Sequence, residues 1–202
     1  LKPLERRQVL VPIRGITPVI PHKWSEKSLR LMREAQSGSK ARAKHDPKVP
    51  EDDAEGSCYY LPDGVTPGLP ATAFKAAIIG ACRLFQGITM ASAKTAFYVE
   101  GQGPDQLLPI TGEDGGPFER VIREDTPRNS NGSPDLRYRY AYYPWACVLP
   151  VTFLPSQVDL DSVIALVDAA GLGGVGDWRP SAPKSLTGTY GQFTVDTDRD
   201  LS

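Results

Sequence analysis

Histidine is scarce in this 202-residue chain: there are two, His22 and His45. Two imidazoles leave little material for a histidine-rich metal centre or a Ser-His-Asp arrangement. Both stand near lysines in a loop-rich first third, where solvated side chains are expected. Cysteine is almost as sparse. Cys58, Cys82 and Cys147 are odd in number and far apart, with neither a disulfide framework nor metal-ligand spacing. A reducing, cytoplasmic setting follows, with no metal and no cofactor expected. No apolar run approaches the ~20 residues of a membrane-crossing helix, so a soluble protein without a membrane partner is expected. The formal net charge is -1, so any surface for a polyanion has to come from local clustering. A Gly-x-x-x-x-Gly-Lys-Ser/Thr phosphate loop and a Gly-x-Ser-x-Gly elbow are both missing.

Glycine and proline, nineteen of each, are plentiful and argue for many turns rather than long helices. Hydrophobic content of 40% and charged content of 23% fit one globular domain over residues 1–202. Gln8 to Ile20 reads as a strand bent at Pro12, and Ser25 to Glu34 as a short helix. From Ala35 to Gly56 the apolar pattern vanishes. Lys23, Lys27, Arg30, Arg33, Lys40, Arg42, Lys44 and Lys48 precede the acidic run Glu51, Asp52, Asp53, Glu55. Residues 22–57 are therefore expected to form a flexible insertion, either a solvated loop or a basic arm that orders on phosphates.

After Pro70, Phe74, Ala77, Ile78, Ala81 and Phe85 recur at helical spacing, with Thr72, Lys75 and Arg83 largely outside the apolar face. Strand-like pieces follow at 95–99, 106–110, 118–123, 136–143 and 145–154. A second helix is predicted from Asp159 to Ala170, with Leu160, Val163, Ile164 and Val167 inward, Asp159 or Asp161 as cap and Gly171 as stop. Gly188 to Asp196 is the last strand. The predicted fold class is α+β, a ferredoxin-like β-α-β-β-α-β core that RNA-recognition modules share, with a long insertion after the first strand and extra β-hairpins.

Gly171-Leu172-Gly173-Gly174-Val175-Gly176-Asp177-Trp178-Arg179-Pro180 is the most distinctive stretch. Its Gly-x-Gly-x-x-Gly follows a helix and precedes Pro180 and Pro183, the wrong setting for a dinucleotide fingerprint. Such glycine density predicts a sharp bend or a close backbone approach. Gly173, Gly174 and Gly176 could present amides to phosphates, with Arg179 and Lys184 as cations and Trp178 and Tyr190 as flat stacking surfaces. Thr72 and Lys75, at the start of the first long helix, would add a second anion-binding edge. Lys40, Arg42 and Lys44 would reach a strand from the arm. In the run Tyr138 to Trp145, alternation puts Arg137 and Arg139 on one face and Tyr138, Tyr140 and Tyr142 on the other. The tyrosines then either pack under a helix with solvated arginines, or stack bases while the arginines hold phosphates.

Leu69-Pro70-Ala71-Thr72-Ala73-Phe74-Lys75-Ala76-Ala77-Ile78 resembles the Ile-Pro-Gly-Ser-Ser-Leu-Lys-Gly-Ala-Leu-Arg helix start of the RAMP superfamily, the ferredoxin-like RNA-binding proteins of CRISPR effector complexes. The glycine-rich stretch running on to Thr187-Gly188-Thr189-Tyr190-Gly191-Gln192-Phe193 is similar to that family's loop between last helix and last strand. Thr17-Pro18-Val19-Ile20 is similar to its short element before a thumb-like insertion. The resemblance implies a non-catalytic backbone subunit in antiviral defence. It would bind single-stranded nucleic acid, RNA ahead of DNA, and assemble with copies of itself and other subunits into a ribonucleoprotein or filament. Three other readings stay open: a viral structural or assembly protein, a single-stranded-DNA-binding recombination protein, and a metal-dependent nuclease using Asp46 or a neighbouring carboxylate.

Overall fold

The computed structural model describes residues 3–37, 48–127, 132–183 and 186–199. Its main sheet has the order β4-β8-β1-β9, built from β1 (Arg7–Gly15), β4 (Phe97–Val99), β8 (Ala146–Phe153) and β9 (Phe193–Val195), all neighbours antiparallel. Alternation decides which face is inside. Val11 and Ile13 of β1 pair with Leu149 and Cys147 of β8, and all four are buried. Leu10 of β1 and Tyr98 of β4 are exposed. Two helices cover the buried face, α3 (Ala71–Ala81) and α5 (Leu160–Gly173), packed against each other, with α5 along β9 and α3 against β4. Through these six elements the chain runs β-α-β-β-α-β, as the sequence predicts.

The expected core shifts in detail. In α5, Val163, Leu166, Val167 and Ala170 face inward, whereas Leu160 is exposed. Asp159 is the cap, its carboxylate accepting from the Ser162 amide at 2.8 Å. Gly171 does not stop the helix, which runs to Gly173 and ends at Gly174 with φ +67°. The reason is packing: a Cβ on Gly171 would collide with the Phe193 carbonyl oxygen of β9. Phe85 lies beyond α3 and a 3-10 turn at Cys82–Leu84, and is exposed. Trp145 fills the centre of the fold, fully buried, its indole donating to the Thr17 carbonyl at 2.8 Å.

Four elements escape the sequence pattern. α2 (Pro50–Gly56) forms where patternless acidic chain is expected, with Pro50 opening it and Glu51, Asp52 and Asp53 in its first turn, where the helix dipole favours them. α4 (Met90–Ala96) carries a Thr89–Ser92 capping box. β2 (Tyr59–Tyr60) and β3 (Pro67–Pro70) join β5 (Leu107–Pro109) in a small second sheet. α1 (Glu26–Gln36) also lies within the insertion, as expected.

The hairpin β6 (Glu119–Asp125) and β7 (Arg137–Tyr143) packs on α2 and is tied to the glycine-rich loop by charge. Arg139 is 3% exposed and pairs with Asp125 at 3.4 Å and with Asp177. Arg123 pairs with the same Asp125 at 2.8 Å, bonds the Tyr190 hydroxyl and lies 4.5 Å over its ring. Arg139 is therefore neither solvated nor free for a phosphate, its buried charge being held by two carboxylates, whereas Arg137 is part-exposed and pairs with Asp135 at 2.9 Å. Tyr190, likewise, presents no open face for stacking on the side that Arg123 covers.

His22 sits at the end of this network, 3.6 Å from the Asp177 carboxylate that Arg139 already holds. Burial, then the charges of Arg139 and Arg137, lower its pKa from the ordinary 6.5. The imidazole is thus kept neutral in the folded chain and protonates more readily unfolded, so its contribution weakens as pH falls below 6.5. Chemical unfolding at pH 7.5 and pH 5.5 should show a smaller loss of stability in His22→Gln than in wild type; an equal loss contradicts the assignment. Thermal melts should place Gly171→Ala roughly 4–10 °C below wild type, the cost of overpacking a closed contact. Gly80→Ala, with nothing within 4 Å of the new Cβ, should melt at or slightly above the wild-type temperature.

Candidate nucleic-acid interface

α3 presents two faces. Phe74, Ile78 and Ala81 anchor it in the core, while Ala73, Ala76, Ala77, Gly80 and Ala81, at helical spacing, line a groove of about 780 Å³. The opposite wall is the C-terminal turn of α5 with the glycine-rich loop. Tyr59, Pro21 and His22 also border it, with Leu69 and Pro70 at the start of α3. Its charged lining residues are Arg83, Arg179 and Asp177. Arg179 is fixed by donating Nη1 to the Gly176 carbonyl at 2.8 Å, and Asp177 is held by Arg139.

The start of α3 has no side-chain cap: Pro70 stands at the N-cap, and no acidic residue occupies the first turn. The Ala71 amide donates to the Gln106 carbonyl at 2.8 Å. The Thr72 and Ala73 amides lack the capping oxygen that a Ser, Thr, Asp or Asn would supply. Lys75 lies one turn further on.

Of the residues singled out by sequence, Gly173, Gly174, Gly176 and Arg179 line the groove. Thr72 is exposed and Lys75 half-buried on α3, both outside the groove lining. Trp178 is absent from that lining too. It adopts φ +54°, and its indole nitrogen is buried without a partner. Lys40, Arg42, Lys44 and Lys184 lie outside the described residues, as do His45 and Asp46.

The loop's amides are largely engaged inside the protein. Gly174 donates to Ala170, Val175 to Gly191 and Asp177 to Ile20, at 2.8–3.1 Å. A Cβ on Gly176 would strike the Ile20 carbonyl, and one on Gly191 the Val175 carbonyl. The glycines therefore serve backbone-to-backbone packing, and the loop offers the groove a wall rather than a cradle of free amides. Arg83 is the cation that sequence reading passed over, set aside for lying off the apolar face. That position, next to the alanine and glycine stripe, was the available signal.

Among the described residues, no group of three or more His, Cys, Asp and Glu side chains is arranged to hold a metal ion. No helix among them is long and apolar enough to cross a membrane.

No protein-family model matches the chain, and no curated protein matches it either. Among solved structures, a chain of the cryo-EM structure of the type III-B Cmr-beta bound to cognate target RNA is 13% identical over 95% of this chain, with a TM-score of 0.42. This chain spans 59% of that one's length. Cmr6 from Pyrococcus furiosus, in its crystal structure, is 9% identical over 96% of this chain and 100% of its own, with a TM-score of 0.39. Both likenesses are at TM-scores below 0.5.

Proposed function

We propose that this chain is a divergent, ferredoxin-like RAMP protein that binds single-stranded RNA along the groove without cutting it. It acts as a backbone subunit of a CRISPR-type ribonucleoprotein, beside copies of itself and other subunits. One observation carries this reading. The helix start at Leu69-Pro70 and the glycine-rich loop, two segments distant in sequence, face each other across a single groove with Arg83 and Arg179 in its walls. Contacts to a sugar-phosphate strand come from these two arginines, from Lys75 beside the uncapped first turn of α3, and from the basic arm with Lys40, Arg42 and Lys44. The apolar lining of alanines, Leu172 and Met90 receives the less polar faces of the strand.

The engaged amides of the glycine loop favour a second reading, in which the loop is purely architectural and the chain is an assembly protein without nucleic acid. Particles or rings with a protein-like ratio of absorbance at 260 and 280 nm would support it.

Fluorescence anisotropy with single-stranded RNA and DNA of one sequence, at two salt concentrations, tests the first reading. Wild type should bind RNA at least as well as DNA and weaken steeply with salt. Lys75→Glu combined with Arg83→Glu should lose roughly ten- to hundredfold in affinity and show a salt slope shallower by about one or two. Unchanged affinity and slope in that variant would remove the groove from strand binding.

A further inference from the structure

A second concavity, of about 320 Å³, opens between the segment after β1, the start of α2 and strand β7. That volume is at the small end of the ~300–1,000 Å³ typical of ligand pockets. With Arg139 already held by Asp125 and Asp177, three further cations line it, Lys23, Lys48 and Arg137, against two carboxylates, Asp53 and Asp135. Asp135 is shared, taking Lys48 at 2.8 Å and Arg137 at 2.9 Å, so one negative charge faces two positive ones. Arg139 forms the inner wall, 3% exposed, with an Nε that is buried and unpartnered. The lowered pKa of His22, caused by burial and then by Arg139 and Arg137, agrees with a positive field in this wall. At the mouth stands Trp24, 53% exposed. Its only ring contact among the described residues is edge-on to His22, at 5.6 Å and 70°, with no ring stacked flat upon it.

A shallow pocket with surplus cations and an uncovered indole has the two elements that bind a nucleotide: charge for the phosphate and a π-face for the base. We propose that this pocket holds one nucleoside monophosphate unit, with its base on Trp24 and its phosphate on Lys23, Lys48 and Arg137. The hydroxyls of Ser25 and Ser28 stand in the same lining to meet the sugar. The assignment is independent of strand binding in the groove, with which the pocket shares His22 alone. The unit comes from a free mononucleotide or from the phosphorylated end of a strand.

Calorimetric titration of the full chain with uridine 5′-monophosphate, uridine and inorganic phosphate tests the pocket without any strand. The monophosphate should bind at least roughly tenfold tighter than uridine or phosphate, the gain expected when one base stacks on an aromatic face. Trp24→Ala, at an exposed position, and Arg137→Gln, at a part-exposed one, should each abolish that advantage while the melting temperature stays within about 2 °C of wild type. Equal binding of the monophosphate and inorganic phosphate would overturn the proposal, as would wild-type affinity in either variant. A 5′-phosphorylated triuridylate that displaces the monophosphate identifies a strand end as the source, and one that does not identifies the free nucleotide. Both outcomes sustain the site.

Discussion

Backbone can press against backbone only where no Cβ intervenes, and the architecture around the groove depends on that constraint. Gly171 lets α5 lie on the Phe193 carbonyl of β9. Gly176 lets the loop touch the carbonyl of Ile20 at the exit from β1, and Gly191 lets the returning turn meet Val175. The same contacts are sealed by hydrogen bonds from Val175 to Gly191, Gly191 to Pro18 and Asp177 to Ile20. Helix, loop, first strand and last strand are thereby interlocked at one end of the sheet. The glycine-rich stretch is rigid for this reason, despite the freedom that glycine has in an unfolded chain.

Rigidity there has an electrostatic counterpart. Asp177, projecting from the interlocked loop, meets the buried Arg139 of the hairpin, and Arg123 with Asp125 extends the chain of charges toward Tyr190. Arg123 and Arg139 share the Asp125 carboxylate, and a buried charge is tolerated when it is paired. The hairpin is therefore fixed against the loop by paired charge as well as by its packing on α2. His22 stands where the groove and the smaller cationic pocket meet, so the two concavities have one common wall.

The order of the main elements is legible in the residues themselves. Alternation locates β7, short apolar strand-like runs locate β1 and β8, and helical spacing with Asp159 as cap locates α5. The same rules fail at α2, whose single buried residue, Ala54, leaves no periodic signal, and at β2 and β3, too short to alternate. They also misassign the faces of Arg139 and Leu160, because alternation says which residues share a side and not which side another element will cover. The candidate site was half legible. Its glycines and Arg179 stand out by composition, whereas Arg83 is an ordinary exposed helical residue until the opposite wall is in place.

By itself the sequence determined that this chain folds as mixed α and β in the order β-α-β-β-α-β, because periodicity and capping are local properties. It also indicated that the chain bends sharply or meets another backbone closely near residues 171–176, because glycine in that density suits both. Only the tertiary structure decided what is met there: the protein's own carbonyls at Ile20, Val175 and Phe193. It likewise decided which cations face a common groove and which are held by Asp125 and Asp177. Charge pairing and close approach are relations between segments far apart in the chain, and no local pattern encodes their geometry.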